Sequence, residues 1–282
     1  MLRLPSAIVT AAWLRDHAEH PELRIVDVRW SLGGPPGRDA YDQGHLPGAI
    51  FLDLDAELAA DPRIGPGRHP LPDARAFAAA MSAHGIGDEH SVVAYDDAGG
   101  SVAARVWWLF RHCGHDAAVL DGGLRAWTDA GGPLTTAVPD HPAAIWTPGV
   151  ARDDIVDAAE LVRRRDAGRP IIDARAAERY RGEVEPVDSR PGHVPGAHSA
   201  PWAGNLDATG RFLPPAELRE RYAALGAGFA SAPVAYCGSG VNATHALLAM
   251  HLAGIEGALY EGSWSDWASR PELPAVIGPQ EA

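Results

Sequence analysis

Residues 236–245 read YCGSGVNATH, a cysteine at the end of the apolar run APVA followed by two glycines, a serine and an apolar run of helical spacing. A lone cysteine is ordinarily a small buried hydrophobe. The residues after this one suit a second role. Gly238 and Gly240 can adopt positive φ and present their N–H groups without side-chain obstruction. A helix starting near Val241 and Asn242 would set its amino end behind the loop, and inward-facing N–H groups together with a helix terminus form an anion site. Both features favour a thiolate over a thiol at Cys237, with no side-chain cation in the loop required. On spacing alone, packing and reactivity both remain open.

The elements that must hold this loop become visible through a repeat. IVDVRW at 25–30 resembles IIDARA at 171–176, and GHLPGAI at 44–50 resembles GHVPGAH at 192–198. The run from Val92, VVAYDDAGG, resembles PVAYCGSGV from Pro233, and LDGGLRAW at 120–127 resembles YEGSWSDW at 260–267. Four blocks in one order, offset by 146, 148, 141 and 140 residues, are a tandem duplication. The proline-rich stretch 133–149 between them has no sustained period and reads as an ordered linker. The expected domains are 1–145 and 146–282.

Within each copy, strand-length apolar runs (RIVDVR, SVVAYD, PIIDAR, APVAYC) alternate with helical patterns such as DARAFAAAMSAHG, SVAARVWWLFRHCG, DDIVDAAELVRRRDAG and PAELRERYAALG. That alternation predicts an α/β fold in which each copy is a mostly parallel sheet flanked by helices. Ligands of such sheets sit beyond the carboxyl ends of strands, where Cys237 falls. The repeat also compares the two copies directly: Tyr236-Cys237-Gly238 stands where the first copy has Tyr95-Asp96-Asp97. Packing alone predicts similar small apolar residues at both places. A thiol in one copy and a carboxylate in the other favour the reactive reading.

Composition narrows the chemistry. The chain has 282 residues, 46% hydrophobic and 22% charged, as expected of a globular protein. Its net charge of −13 argues against a general nucleic-acid binder. All 24 basic residues are arginine, so chemistry through a lysine Schiff base is excluded. The two cysteines, Cys113 and Cys237, rule out a disulfide framework and disfavour structural zinc, and no cofactor is expected. No apolar run is long enough to cross a membrane, and the amino terminus lacks a signal-peptide pattern, so the expected setting is cytoplasmic.

The tandem copies, the GHxPGA blocks, the DGG and the C-G-S-G-V loop together resemble the two-domain sulfurtransferases of the rhodanese family, over nearly the whole chain. The resemblance implies tandem rhodanese-like domains, a non-catalytic first copy with Asp96 at the cysteine position, and a second copy whose Cys237 carries sulfur as a persulfide. It implies a small-molecule sulfur donor and a thiol acceptor such as thioredoxin, or cyanide, with no nucleic-acid or membrane partner. The neutral loop at Gly238 and Ser239 is similar to that of family members using 3-mercaptopyruvate, with thiosulfate as the alternative donor. Ser239, with His69 of GRHPLP and Asp55 of FLDLD, matches a proton relay.

Arg179 of AERYRG matches an arginine that grips the donor carboxylate. The family's second such arginine has no equivalent, because Val187 stands at the closest match. Either the nearby Arg190 substitutes, or one arginine is sufficient. Asn242 stands where threonine is usual, and both residue types can cap the helix behind the loop.

His45 and His193 occur in both copies, including the one without cysteine, and read as parts of a shared turn. Cys113 and the Trp107-Trp108 pair read as packing. A cysteine phosphatase would need an arginine six residues past the nucleophile, where this chain has Ala243. A catalytically silent pair of domains is the remaining competitor, opposed by the presence of Cys237, Ser239 and Arg179.

Overall fold

The computed structural model describes residues 2–279. It divides into two compact units. The first comprises most of the chain up to Arg152, together with Ala208–Phe212, and the second comprises the chain from Asp153 onward, together with Ala60–Leu71. Two short segments are therefore exchanged in sequence, and the one containing Arg68 and His69 belongs with the second unit.

Each unit holds a five-stranded sheet. In the first, β1 (Ile8–Val9), β2 (Leu23–Asp27), β3 (Ala49–Phe51), β4 (Ser91–Tyr95) and β5 (Ala117–Leu120) lie in the order β1-β5-β4-β2-β3. In the second, β6 (Ile155–Val156), β7 (Ile171–Asp173), β8 (Ala197–Ser199), β9 (Val234–Tyr236) and β10 (Ala258–Tyr260) lie in the matching order β6-β10-β9-β7-β8. Every pairing within these sheets is parallel. Central strands of parallel sheets are covered on both faces, and β2, β4, β7 and β9 are buried at every residue.

The repeated sequence blocks prove to be the clamps of this fold. Asp27 pairs with Tyr95 across β2 and β4, and Asp173 with Tyr236 across β7 and β9. Asp27 accepts from Arg29 Nη2 at 2.7 Å, and Arg29 also donates to the carbonyl of Gly44 at 2.8 Å. Arg175 repeats both bonds, to Asp173 and to the carbonyl of Gly192, at 2.7 Å each. Each D-x-R therefore pins its own GHxPGA turn. His45 and His193 are buried in those turns, stacked on Tyr41 and Tyr180 and bonded through Nδ1 to the carbonyls of the same tyrosines at 2.8 Å.

Two sequence expectations shift at element ends. The pattern DDIVDAAELVRRRDAG predicts one helix, but Ile155–Val156 joins the sheet as β6 and the helix spans Ala158–Asp166, capped by the Asp157 side chain on the N–H of Glu160. The helix predicted from Ser101 spans Ala103–His112, because the Asp96 carboxylate draws the preceding N–H groups into the loop. Cys113 is buried at its end, and Trp107 and Trp108 are buried along it. Among the described residues, no helix is long and apolar enough to cross a membrane.

Candidate active site

Strand β9 delivers Cys237 at its carboxyl end, in the middle of the second sheet. The residue is only 3% exposed. Its N–H donates to Ser263 Oγ at 3.1 Å, and its carbonyl accepts from the N–H of Trp264 at 2.9 Å. Ser263 Oγ in turn donates to the carbonyl of Tyr260 at 3.0 Å. Among the described residues, Ser263 is one of two non-glycine residues with positive φ, at +52°. The first unit has Gly123 there, at φ +56°. Serine keeps the left-handed turn despite its side chain, and the hydroxyl it brings ties the cysteine's own peptide to the end of β10. Sequence reading missed Ser263. The signal was the mismatch of GG against GS in otherwise matching blocks.

After the cysteine, Gly240 at φ +84° turns the chain into the helix Val241–Leu252. That helix start has no side-chain cap. Asn242 lies inside the first turn and does not cap it, contrary to expectation; the left-handed Gly240 makes the entry by backbone conformation instead.

Ser239 and His69 meet within the second unit, Oγ to Nδ1 at 2.7 Å, with both residues buried. Asp55 lies in the first unit, in the short helix Leu54–Glu57. There Asp53 is the cap, and Asp55 Oδ2 accepts from Trp30 Nε1 at 3.0 Å.

The loop of the first unit shows what this backbone accommodates. Asp96, at the position matching Cys237, is buried and takes four backbone N–H bonds: Oδ1 from Ala98 and Gly100 at 2.9 and 2.8 Å, Oδ2 from Val102 and Ala103 at 2.8 and 2.9 Å. Main-chain dipoles thus hold a carboxylate through all four of these bonds. The matching residues in the second unit are Ser239, Val241, Ala243 and Thr244.

Arginines approach from the other side. A Cβ placed on Gly238 would lie 3.3 Å from Arg179 Nη1 and 3.0 Å from Arg68 Nη2, so glycine leaves the room that lets both guanidinium groups come this close to the loop. Arg179 Nη2 donates to Glu185 Oε1 at 2.6 Å and to Asp188 Oδ2 at 2.9 Å, rather than pairing with Glu178 or Glu183. Arg68 pairs with the other oxygen of Asp188, and its backbone N–H donates to Ser265 Oγ at 3.0 Å. Glu185 also reaches Arg175, at 3.4 Å. An alternation of charge, Asp173–Arg175–Glu185–Arg179–Asp188–Arg68, therefore runs from the buried sheet to the half-buried arginines at the cysteine loop. Burial raises the pKa of Asp188, with the neighbouring Glu185 adding to the shift and Arg68 and Arg179 opposing it. Burial also acts on Glu185, but the N–H of Asp188 and the Arg179 guanidinium outweigh it and hold that carboxyl below its ordinary value.

Arg190 takes a different place from the one expected. Its Nη2 donates to the carbonyls of Trp267, Arg270 and Leu273 at 3.0, 3.0 and 2.7 Å. Through that nitrogen it closes the end of the helix Ser263–Ser269. Val187 is exposed and adds no charge. Arg68, which sequence reading overlooked beside His69 in GRHPLP, stands with Arg179 over Gly238.

Paired parallel sheets of one strand order, each ending its central strand in a small-residue loop, define the class. The rhodanese-like domain family matches residues 10–130 and 157–270, and the chain belongs to that family. It is 42% identical, over 96% of its length and 98% of the relative's, to a Pseudomonas aeruginosa protein named "Probable 3-mercaptopyruvate sulfurtransferase". A Mycobacterium tuberculosis relative, 38% identical over 96% of this chain and 97% of its own, carries a thiosulfate sulfurtransferase name. The crystal structure of SseA from Escherichia coli, described among the 3-mercaptopyruvate sulfotransferases, superposes with a TM-score of 0.81 at 31% identity, covering 92% of this chain and 99% of that one. The chain is an enzyme of this sulfurtransferase kind.

Proposed function

We propose that Cys237 accepts sulfur from 3-mercaptopyruvate and passes it, as a persulfide, to a thiol such as that of reduced thioredoxin, or to cyanide. The Cys237 thiolate attacks the donor sulfur and the donor C–S bond breaks. The electron pair leaves as pyruvate enolate, which takes a proton to become pyruvate. The acceptor nucleophile then attacks the outer sulfur and returns Cys237 as thiolate. The observation that carries this reading is the Ser239–His69 hydrogen bond of 2.7 Å, two residues beyond the cysteine. It supplies a hydroxyl–imidazole pair able to hold and move the proton the enolate requires.

Asp96 supports the persulfide step. Its carboxylate oxygens stand two bonds from Cβ, as the outer sulfur of a cysteine persulfide would, and four N–H groups hold them. Arg179 supplies a planar fork for the donor carboxylate. Relatives named for 3-mercaptopyruvate add to the case.

Thiosulfate is the second reading. It is favoured by the two guanidinium groups over Gly238, which suit a dianion, and by the name of the mycobacterial relative. The test is thiocyanate formation from cyanide with each donor, compared as kcat/KM, alongside the Cys237→Ser variant. The expected result is a preference of about tenfold or more for 3-mercaptopyruvate, worth about 1.4 kcal/mol, and no turnover by Cys237→Ser at native stability. A preference for thiosulfate reverses the donor assignment, and full activity of Cys237→Ser overturns the persulfide mechanism. The role expected of Asp55 is tested by Asp55→Asn, with a fall in kcat as the expected outcome.

A further inference from the structure

We propose that the amino ends of the second sheet carry an anion site, separate from the cysteine loop, that takes a diphosphate group, free or as part of a nucleotide. The proposal does not depend on the reading of Cys237.

The sequence marks the place. Four of the 24 arginines, Arg163, Arg164, Arg165 and Arg169, fall within seven residues of a chain whose net charge is −13. At the 146-residue offset of the strand block, the first copy has HAEHPEL at 17–23, with two glutamates and no arginine. The fold therefore does not require the cluster. Nor does the helix Ala158–Asp166 need it as a cap. The carbonyls of Arg163, Arg164 and Arg165 already accept from the N–H groups of Ala167, Arg169 and Gly168, at 3.0, 2.9 and 2.8 Å. The helix dipole draws cations to the last turn, yet Arg169 lies beyond it.

These arginines line two adjoining clefts. One, of about 560 Å³, is lined by Arg165, Arg169 and His198, with Gly168 and Gly196 in its wall. The other, of about 440 Å³, is lined by Arg163, Arg164 and Arg169 together with Glu160. Both volumes suit a small ligand. Pro170 and Gly196, at the first cleft, directly precede β7 and β8, so this is the end of the sheet opposite Cys237.

The charges of the cluster do not cancel. Glu160 accepts from Arg163 Nε and Arg164 Nε at 2.8 Å each, and Asp166 accepts from Arg165 Nη2 at 2.7 Å. Arg169 has no carboxylate partner among the described residues. Its Nη1 donates to the carbonyls of Ala230 and Ser231 at 2.9 and 3.2 Å, which fixes the guanidinium and leaves its charge uncompensated. Four guanidinium groups against two carboxylates leave two positive charges, and the unpaired one stands in the walls of both clefts. Two phosphoryl groups in succession, one on each side of Arg169, match that layout, since a guanidinium fork pairs with phosphate oxygens. A single anionic group would use one cleft only. Ala232, which lines the second cleft, is held at φ +46°, a strained conformation of the kind retained at ligand clamps.

The test is isothermal titration calorimetry of the full chain with sodium pyrophosphate, ADP and AMP at constant ionic strength. Saturable binding of pyrophosphate or ADP is expected, about tenfold or more tighter than that of AMP, which has one phosphoryl group. Tighter binding of ADP than of pyrophosphate assigns the site to a nucleotide, and the reverse assigns it to the free diphosphate. Arg169→Gln should weaken binding about tenfold, the loss of one charge-assisted bond, and Arg165→Gln should weaken it as well. Both variants should keep the native Tm to within a few degrees and the native kcat and KM for sulfur transfer. Arg179→Gln, at the cysteine loop, should leave pyrophosphate binding unchanged. Binding lost in Arg179→Gln would place the anion at the cysteine loop and overturn the proposal. Absence of saturable binding in the millimolar range, or binding unaffected by Arg169→Gln and Arg165→Gln, would overturn it too. So would tighter binding of hexaglutamate than of pyrophosphate, which would assign the arginines to an acidic protein partner.

Discussion

Ser263 shows how much one residue can carry. A non-glycine side chain at φ +52° costs about 1–2 kcal/mol relative to a relaxed backbone. Its hydroxyl offsets this by satisfying the buried N–H of Cys237. Ser263→Ala keeps the unfavourable conformation and orphans that N–H, so it should lower stability by about 1–3 kcal/mol. Ser263→Gly orphans the same group but relaxes the turn, and should be about 1 kcal/mol less damaging than alanine. Chemical denaturation of the two variants checks the order; glycine proving the worse would show that the turn is unstrained. Cys237 and Asp96 make the complementary point. They occupy one place in two copies of a fold, the thiol of Cys237 at the end of one central strand and the carboxylate of Asp96 at the end of the other.

At the level of elements, the loop after each central strand is held by what fills it. In the first unit, the Asp96 carboxylate is the filling, and its four N–H bonds set where the helix Ala103–His112 begins. Asp96→Asn exchanges one acceptor oxygen for an NH2 group facing N–H donors. It should cost at least ~2 kcal/mol, because bonds to a charged acceptor are lost and donors are left buried. Thermal unfolding should register this as a lower first transition if the units melt separately, or a lower single Tm if they do not; an unchanged Tm would mean the loop is held by its helix alone.

In the second unit, the charge ladder does the corresponding work, tying β7 to the arginines. The Arg175 guanidinium and its two carboxylate partners are almost fully buried, so removing one partner leaves a charge uncompensated, and Arg175→Met should cost about 3–5 kcal/mol. Urea denaturation measures that loss. The tyrosine contacts argue the same way: burial, reinforced by Asp173, pushes the Tyr180 hydroxyl up to about 12, so it stays a neutral donor to the carbonyl of Ala197.

For the molecule as a whole, buried and half-buried histidines are expected to oppose the folded state as the pH falls. Burial lowers the pKa of His193 against the opposing carbonyl of Tyr180, and burial with the adjacent Arg24 lowers His90 and His141 in the first unit. Each is neutral in the folded state and protonates more readily once unfolded. Their stabilisation is therefore complete above the ordinary histidine pKa of about 6.5 and is lost as pH falls through the lower folded values. Tm should decline between about pH 7 and 5, by roughly 2–4 °C for each kcal/mol lost in domains of this size. His193→Gln should flatten that slope even though it lowers Tm at neutral pH, and an equally steep slope in the variant would assign the acid sensitivity elsewhere.

The duplication, the parallel α/β architecture, the contrast of Cys237 with Asp96, and the pairing expectation for Ser239 and His69 were all legible in the residues. The reason is that they depend on periodicity, on glycine and proline punctuation, on a motif match, and on a repeat that compares itself. The strand at Ile155–Val156 was hidden inside a helical pattern, since two residues are too short to show a period. The partners of the arginines were hidden for a different reason. A guanidinium reaches its ligand through a long side chain, so nearness in sequence says little: Arg190 is turned onto a helix end, while Arg68 precedes Cys237 by more than half the chain yet lies over its loop. Only the folding of Ala60–Leu71 into the second unit decided which arginine joins Arg179 over Gly238.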